Sequence, residues 1–246
     1  MKILVVSDNV IQYERVKSVF EVQKKKMKIE VDYYHSGNHS PLKNHSDFKD
    51  KENSSIDVKN QIKFLVNNYE LIISVHCKQL FPKKLVDSVR CINIHPGYNP
   101  INRGWYPQVF AIIKDLPVGA TIHEMDKDLD HGPIIAREFV EKYDYDTSLD
   151  IYNRVLNKEI ELFEKNITLI VNNSYNKIQP EHEGVLYLRS DFESLCQLDL
   201  DRTLTFREAI NHLRALTHGE YKNAYFYNDD DKKIYVSINL ELNGSE

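Results

Sequence analysis

Asn93 and His95 stand two residues apart near the end of the apolar run RCINIHP. Alternate residues of a strand project from one face, so on a strand this amide and imidazole point together while Ile92 and Ile94 anchor the opposite layer. The pair joins an uncharged N–H donor to a group that titrates near neutral pH, which suits it to stabilising charge on an oxygen while moving a proton. Taken alone, it is more often the pattern of a satisfied core histidine beside an asparagine that caps the following turn. The next residues, PGYNPINRGWYPQVF, read as a proline- and glycine-punctuated loop carrying Arg103, Trp105 and Tyr106.

Such a pair needs a rigid scaffold to aim it. KILVVSD, KIEVDYYHS, ELIISVHC and RCINIHP are short strand-like runs, three of them the continuous apolar type expected of a buried parallel sheet. Helical stretches separate them: one to about residue 26, one in IDVKNQIKFLVNNY with Ile56, Ile62, Leu65 and Val66 near helical spacing, and one opened by Pro82. This alternation predicts βαβ units and a mainly parallel sheet in an α/β fold, with ligands at the C-terminal strand ends. Those ends carry Ser7-Asp8-Asn9, His76 to Gln79, and Asn93 to Gly97. Residues 35–55, rich in His, Ser and Asn, read as a surface loop without metal-ligand spacing.

Beyond residue 118 the pattern changes. GATIHEM and GPIIAREFVEK predict a strand pair joined by DKDLDH. Thr147 and Asp150 form a capping box opening a long helix with Tyr152, Val155, Leu156, Ile160, Phe163, Ile167 and Ile170 at helical repeat. A polar linker comes next, then VLYLRS, a helix capped by Thr205 and Glu208, and a strand pair about Asn228 to Asp231. The expected organisation is a catalytic domain over 1–175 and a small β-α-β-β unit over 176–246 that packs on the core or on another subunit, because so short a segment is marginal alone.

The chain has 246 residues, 41% of them hydrophobic, and a formal net charge of −5 with scattered cations, which disfavours a nucleic-acid partner. Cys77, Cys91 and Cys196 are odd in number and show no CxxC spacing, which fits buried thiols and a cytoplasmic setting. No apolar run approaches the length of a membrane span, so no membrane insertion is expected.

HPGYNPINRG resembles the signature of the N10-formyltetrahydrofolate-dependent formyltransferases, and DLDHGPI resembles the second half of that signature. The resemblance covers roughly residues 1–170 and implies a Rossmann-like core with a mixed, largely parallel sheet, to which the C-terminal segment adds a small α+β tail. It implies that Asn93, His95 and Asp130 are the catalytic trio of acyl transfer to a primary amine. Asn93 would donate to the formyl oxygen, His95 would shuttle the proton, and Asp130 would orient the imidazole and favour its cation. The scheme needs no metal. His131 stands where many relatives have Thr, and is expected to face solvent.

The continuation GWYPQVF, with SVHCKQLFP and the N-terminal SDN, is similar to the dTDP-aminosugar N-formyltransferases. That likeness implies a dTDP-amino-dideoxyhexose acceptor, with 4-amino-4,6-dideoxyglucose first and 3-amino isomers second, an O-antigen or surface-glycan product, and a homodimer built by the tail. Lys78 and Arg103 are the candidate diphosphate cations, Trp105 and Tyr106 the candidate sugar wall, and Asn9 and Gln79 candidate hydrogen-bonding groups. The folate is expected along the loop after ISVHC and against the hairpin, near Phe81, Glu124, Asp126 and Asp130. The competing readings are a formyltetrahydrofolate hydrolase and a non-catalytic folate- or nucleotide-sugar-binding module.

Overall fold

The computed structural model describes residues 1–51 and 54–244. Its elements are β1 (Lys2–Ser7), α1 (Val10–Lys24), β2 (Glu30–Tyr34), α2 (Ile62–Asn68), β3 (Leu71–Val75), α3 (Lys83–Val86), β4 (Arg90–His95), β5 (Arg103–Gly104), α4 (Pro107–Ile113), β6 (Gly119–Glu124), β7 (Ile134–Phe139) and α5 (Ser148–Val171). The tail adds β8 (Leu186–Tyr187), α6 (Arg189–Cys196), α7 (Phe206–Leu216), β9 (Thr217–His218), β10 (Tyr221–Lys222), β11 (Ala224–Tyr227) and β12 (Lys233–Val236).

The central sheet runs β2-β1-β3-β4-β6-β7. Its first four strands are parallel, and β4 and β6 then pair antiparallel, as do β6 and β7. This is the mixed, largely parallel α/β sheet that the alternation of elements predicts. Side chains on its two faces enter different cores: Ile3, Ile73, Ile92 and Ile94 pack with α1, α4 and α5, whereas Leu4, Ile72 and Cys91 pack with Leu65 and Leu85. Phe20 of α1 meets Phe163 of α5 edge to face with centroids 5.5 Å apart, a geometry that adds to the gain from burying both rings. The predicted capping box is present, with the Thr147 N–H donating to the Asp150 carboxylate at 2.8 Å and satisfying one of the first-turn donors of α5.

Three expectations give way to packing. Ile56 lies outside any helix: α2 begins only at Ile62, and Ile56 is buried against the Leu65 core beside the bridge between His35 and Ser55. The stretch predicted as a surface loop over 35–55, of which residues 52 and 53 lie outside the described residues, contains a 3-10 turn at Pro41–Asn44. It buries Leu42 and Phe48 against Tyr13, so two isolated apolar residues anchor an otherwise polar segment. In the tail, β8 pairs in parallel with β5 of the central loop rather than with the tail strands, and the sequence after it forms the helix α6. Among the described residues, no helix is long and apolar enough to cross a membrane.

Candidate active site

β4 carries Asn93 and His95 to the middle of the sheet, where pairing changes from parallel on the β3 side to antiparallel on the β6 side. His95 is buried, and its Nε2 lies 2.8 Å from the carbonyl of Asn102. A carbonyl only accepts, so Nε2 donates and the neutral ring keeps its lone pair on Nδ1. Burial pushes the His95 pKa below its ordinary value, which favours this neutral form. The bond from His95 to Asn102 crosses Gly97, where a Cβ would lie well inside van der Waals contact of both partners. Gly97→Ala should therefore displace the imidazole and lower kcat about 10-fold or more, while circular dichroism stays native.

Asp130 reaches the pair from the β6–β7 connection, in a left-handed backbone conformation with φ of 49°. Its Oδ1 accepts from Asn93 Nδ2 at 3.0 Å, its Oδ2 from the Gly104 backbone N–H at 3.0 Å, and its carbonyl from Asn99 Nδ2 at 2.9 Å. Burial pushes this carboxyl upward, but positive charge on the neighbouring His95 and His123 rings whenever they are protonated, together with the Gly104 N–H, outweighs burial and holds it well below the usual carboxylate range. Asp130 Oδ2 and His95 Nδ1 are 3.5 Å apart, too long for a good hydrogen bond. The ring is thus oriented by Asn102 rather than by Asp130 as expected, because the backbone carbonyl takes the only ring N–H.

Asn93 has a second neighbour, His123, directly opposite it in the β4–β6 register. The distances from Asn93 Nδ2 to Asp130 Oδ1 (3.0 Å) and to His123 Nε2 (3.4 Å), with 3.5 Å between those acceptors, put them about 66° apart at the amide nitrogen. The two N–H bonds of a planar amide diverge by ~120°. A single N–H between the two acceptors lies about 33° from each, so they can share one N–H and leave the other, ~120° away, for a further partner.

The expected substrate residues separate into free and committed groups. Asn9 caps α1 through its Oδ1 and donates from Nδ2 to the Tyr152 hydroxyl at 3.1 Å. Lys78 lies just beyond β3 and uses its backbone N–H on Asp8, while Trp105, between β5 and α4, is 37% exposed. Gln79 is spent on structure: its amide donates to the carbonyls of Ser36 and Ile56 and accepts from the Val58 N–H. Arg103 is buried and clamps the Asp130 turn by donating twice to the Leu129 carbonyl and once to that of Glu183, and its guanidinium also meets the Glu183 carboxylate at 3.4 Å, so these groups rather than an open diphosphate site take its donors. Tyr106 stacks on Phe192 at 4.0 Å, which places one face of its ring at the junction with the tail.

On the other side of the hairpin, Phe81 packs in the Leu65 core with Met125 alongside. The Glu124 carboxylate accepts from the Tyr175 hydroxyl at 2.5 Å and pairs with Lys177 at 2.8 Å. Asp126 is bound to His131 Nδ1 at 2.6 Å, and that partner raises the His131 pKa, so His131 is paired rather than simply solvated.

Asn102 and His123 are neighbours of the candidate site that the sequence pattern did not single out, and the contact role of Gly97 was not legible there either. His123 had a usable signal, since Thr121 and His123 are two polar residues two apart on an apolar strand, the same logic that singled out Asn93 and His95. Both lie on the site's side: Thr121 Oγ1 donates to the Gly97 carbonyl at 2.7 Å and accepts from the Asn99 N–H at 3.0 Å. A second polar string without a sequence signature joins the ends of β1 and β3 to α5. His76 Nε2 meets the fully buried Glu159 carboxylate at 2.8 Å, and Gln12 donates to the same carboxylate.

Residues 7–167 match the formyl transferase family, and residues 191–242 match the N-formyltransferase dimerization C-terminal domain. The dTDP-4-amino-4,6-dideoxyglucose formyltransferase of Mycobacterium tuberculosis is 46% identical over 185 residues, which are 75% of this chain and 79% of the relative. The crystal structure of a 4-N formyltransferase from Francisella tularensis is 45% identical, covers 98% of each chain and has a TM-score of 0.90. The formyltransferase PseJ from Anoxybacillus kamchatkensis, solved with UDP-4,6-dideoxy-4-formamido-L-AltNAc and tetrahydrofolate, is 26% identical, with 79% of this chain and 89% of that one covered and a TM-score of 0.59.

Proposed function

The chain belongs to the formyl transferase family, and from that membership we propose that it transfers the formyl group of N10-formyltetrahydrofolate to the amine of a dTDP-linked amino-dideoxyhexose. The acceptor we assign is dTDP-4-amino-4,6-dideoxyglucose, supported by the 46% identity to a formyltransferase of that name and the 45% identity to a 4-N formyltransferase. The observation that carries the chemistry is the Asn93 amide, anchored by Asp130, beside a His95 whose N–H is taken by the Asn102 carbonyl and whose Nδ1 is left with its lone pair.

The bound folate supplies a formyl carbon on a nitrogen that can leave. Asn93 donates its free N–H to the formyl oxygen as the acceptor amine attacks and negative charge gathers there. His95 Nδ1 takes the proton that the amine must lose and returns it to the departing nitrogen, so one C–N bond forms, one breaks and no proton is left over. Asp130 fixes the Asn93 amide and, 3.5 Å from Nδ1, stabilises the imidazolium while it lasts. Lys78 and Trp105 are assigned to the nucleotide sugar. The folate is assigned to the Phe81 side, where Leu80 is 71% exposed and Met125 packs against the Phe81 core.

The product is a formamido sugar nucleotide of the kind consumed in surface-glycan assembly, and we place the reaction in the cytoplasm. A homodimer through the tail is supported by the matched dimerization domain and by exposed Phe206, Tyr221, Tyr235 and Leu242.

Incubation with N10-formyltetrahydrofolate and a panel of dTDP-3-amino and dTDP-4-amino sugars, with tetrahydrofolate release and product mass followed together, tests the assignment. Turnover is expected with the 4-amino-4,6-dideoxyglucose compound. Release without acceptor would instead identify a hydrolase, and binding without turnover a non-catalytic module. The pH profile supplies a second check. His95 must be unprotonated to act, and burial lowers its pKa, so kcat, into which ionisation of the free amine does not enter, should hold as pH falls to 6.5 and decline only below that value. An acid limb of kcat above 6.5 would point to a base whose pKa is raised, such as His131.

A further inference from the structure

We infer that His123 is a positioning residue: it fixes the rotation of the Asn93 amide so that one N–H is held by His123 and Asp130 while the other remains free for the reacting oxygen. The inference rests on the oxyanion role proposed above for Asn93. His123 is buried, and its Nδ1 lies 2.7 Å from the Glu124 carbonyl. That carbonyl can only accept, so Nδ1 carries the proton and Nε2 presents a lone pair to Asn93. A terminal amide turns about a broad, roughly two-fold torsion, and a single acceptor leaves it free to swing about that one bond. Asp130 Oδ1 and His123 Nε2 are two acceptors on different elements, the β6–β7 turn and β6 itself, and together they define the amide plane. The strand register contributes as well, since antiparallel pairing sets residue 123 opposite residue 93 whatever the side chains are.

The alternative is a core histidine that merely fills space. A double-mutant cycle separates the two. His123→Phe keeps a ring but removes the acceptor, and should lower kcat about 10-fold while leaving both KM values within about twofold. In the Asn93→Ala background the same substitution should have no further effect on kcat, because nothing is left to position. His123→Gln, which can offer its carbonyl oxygen in place of Nε2, should recover most of the loss. Additive losses in the cycle, or a change in KM alone, would overturn the inference while leaving the role of Asn93 intact. Near-normal turnover by Asn93→Ala would overturn that role and this inference with it. Should His123→Phe fail to fold, 15N NMR of the wild-type imidazoles decides: an unprotonated Nε2 on His123 is expected, and a protonated one overturns the proposal.

Discussion

Asn93→Ala is expected to reduce kcat by about 100-fold or more while leaving the KM for the amino sugar nearly unchanged, since a donor aimed at developing charge acts in the transition state and little in the ground state. The loss corresponds to roughly 2.7–4 kcal/mol of transition-state stabilisation. Stability should change far less, because the side chain is only partly buried and Asp130 keeps Gly104 as a donor. Asn93→Asp should be worse than alanine: it replaces a donor by a second carboxylate where Asp130 Oδ1 now accepts at 3.0 Å. Steady-state kinetics with both substrates varied measure the effect. A kcat within a few-fold of wild type would remove Asn93 from the chemistry.

The second large effect is at Asp130, and it falls on activity and stability together. The carboxylate accepts from Asn93 through one oxygen and from Gly104 through the other. Asp130→Ala leaves the Gly104 N–H without its acceptor and the Asn93 amide with His123 alone, at a cost of about 1 kcal/mol or more for a partly buried donor left unpaired. Asp130→Asn is close in shape but not in function, because one of its two termini must then present N–H to a group that is itself a donor. Both variants should lose kcat about 100-fold or more as the Asn93 amide loses its anchor, and both should melt several degrees lower. Retained activity in Asp130→Asn would show that the carboxylate charge and its paired acceptors are dispensable.

The pattern of effects reflects how the site is built. Arg103 holds the Asp130 turn through the Leu129 carbonyl, β8 lies along β5, and β5 supplies the Gly104 N–H to Asp130. Gly104 itself has φ of 88° and packs so closely on the Tyr187 carbonyl that a Cβ would clash, which explains why glycine stands there. The tail therefore does more than add an exposed apolar face: its first strand steadies the loop on which the acid rests.

Sequence alone was sufficient for the sheet, for the strand face shared by Asn93 and His95, and for the two capped helices, because strand and helix periodicity and end-capping are local properties. The two separated motifs also brought Asp130 into consideration, and the structure brings it within 3.0 Å of Asn93. What the sequence could not convey was partnership across distance. Charge and position made Arg103 and Gln79 resemble ligand residues, yet backbone carbonyls remote in sequence take their donors. His123 looked like one more polar residue on a strand until antiparallel register set it against Asn93. Local chemistry thus selected which residues were able to act, and tertiary packing decided which of their hydrogen-bonding groups remained free to do so, since each buried donor or acceptor is claimed by whatever the fold brings nearest.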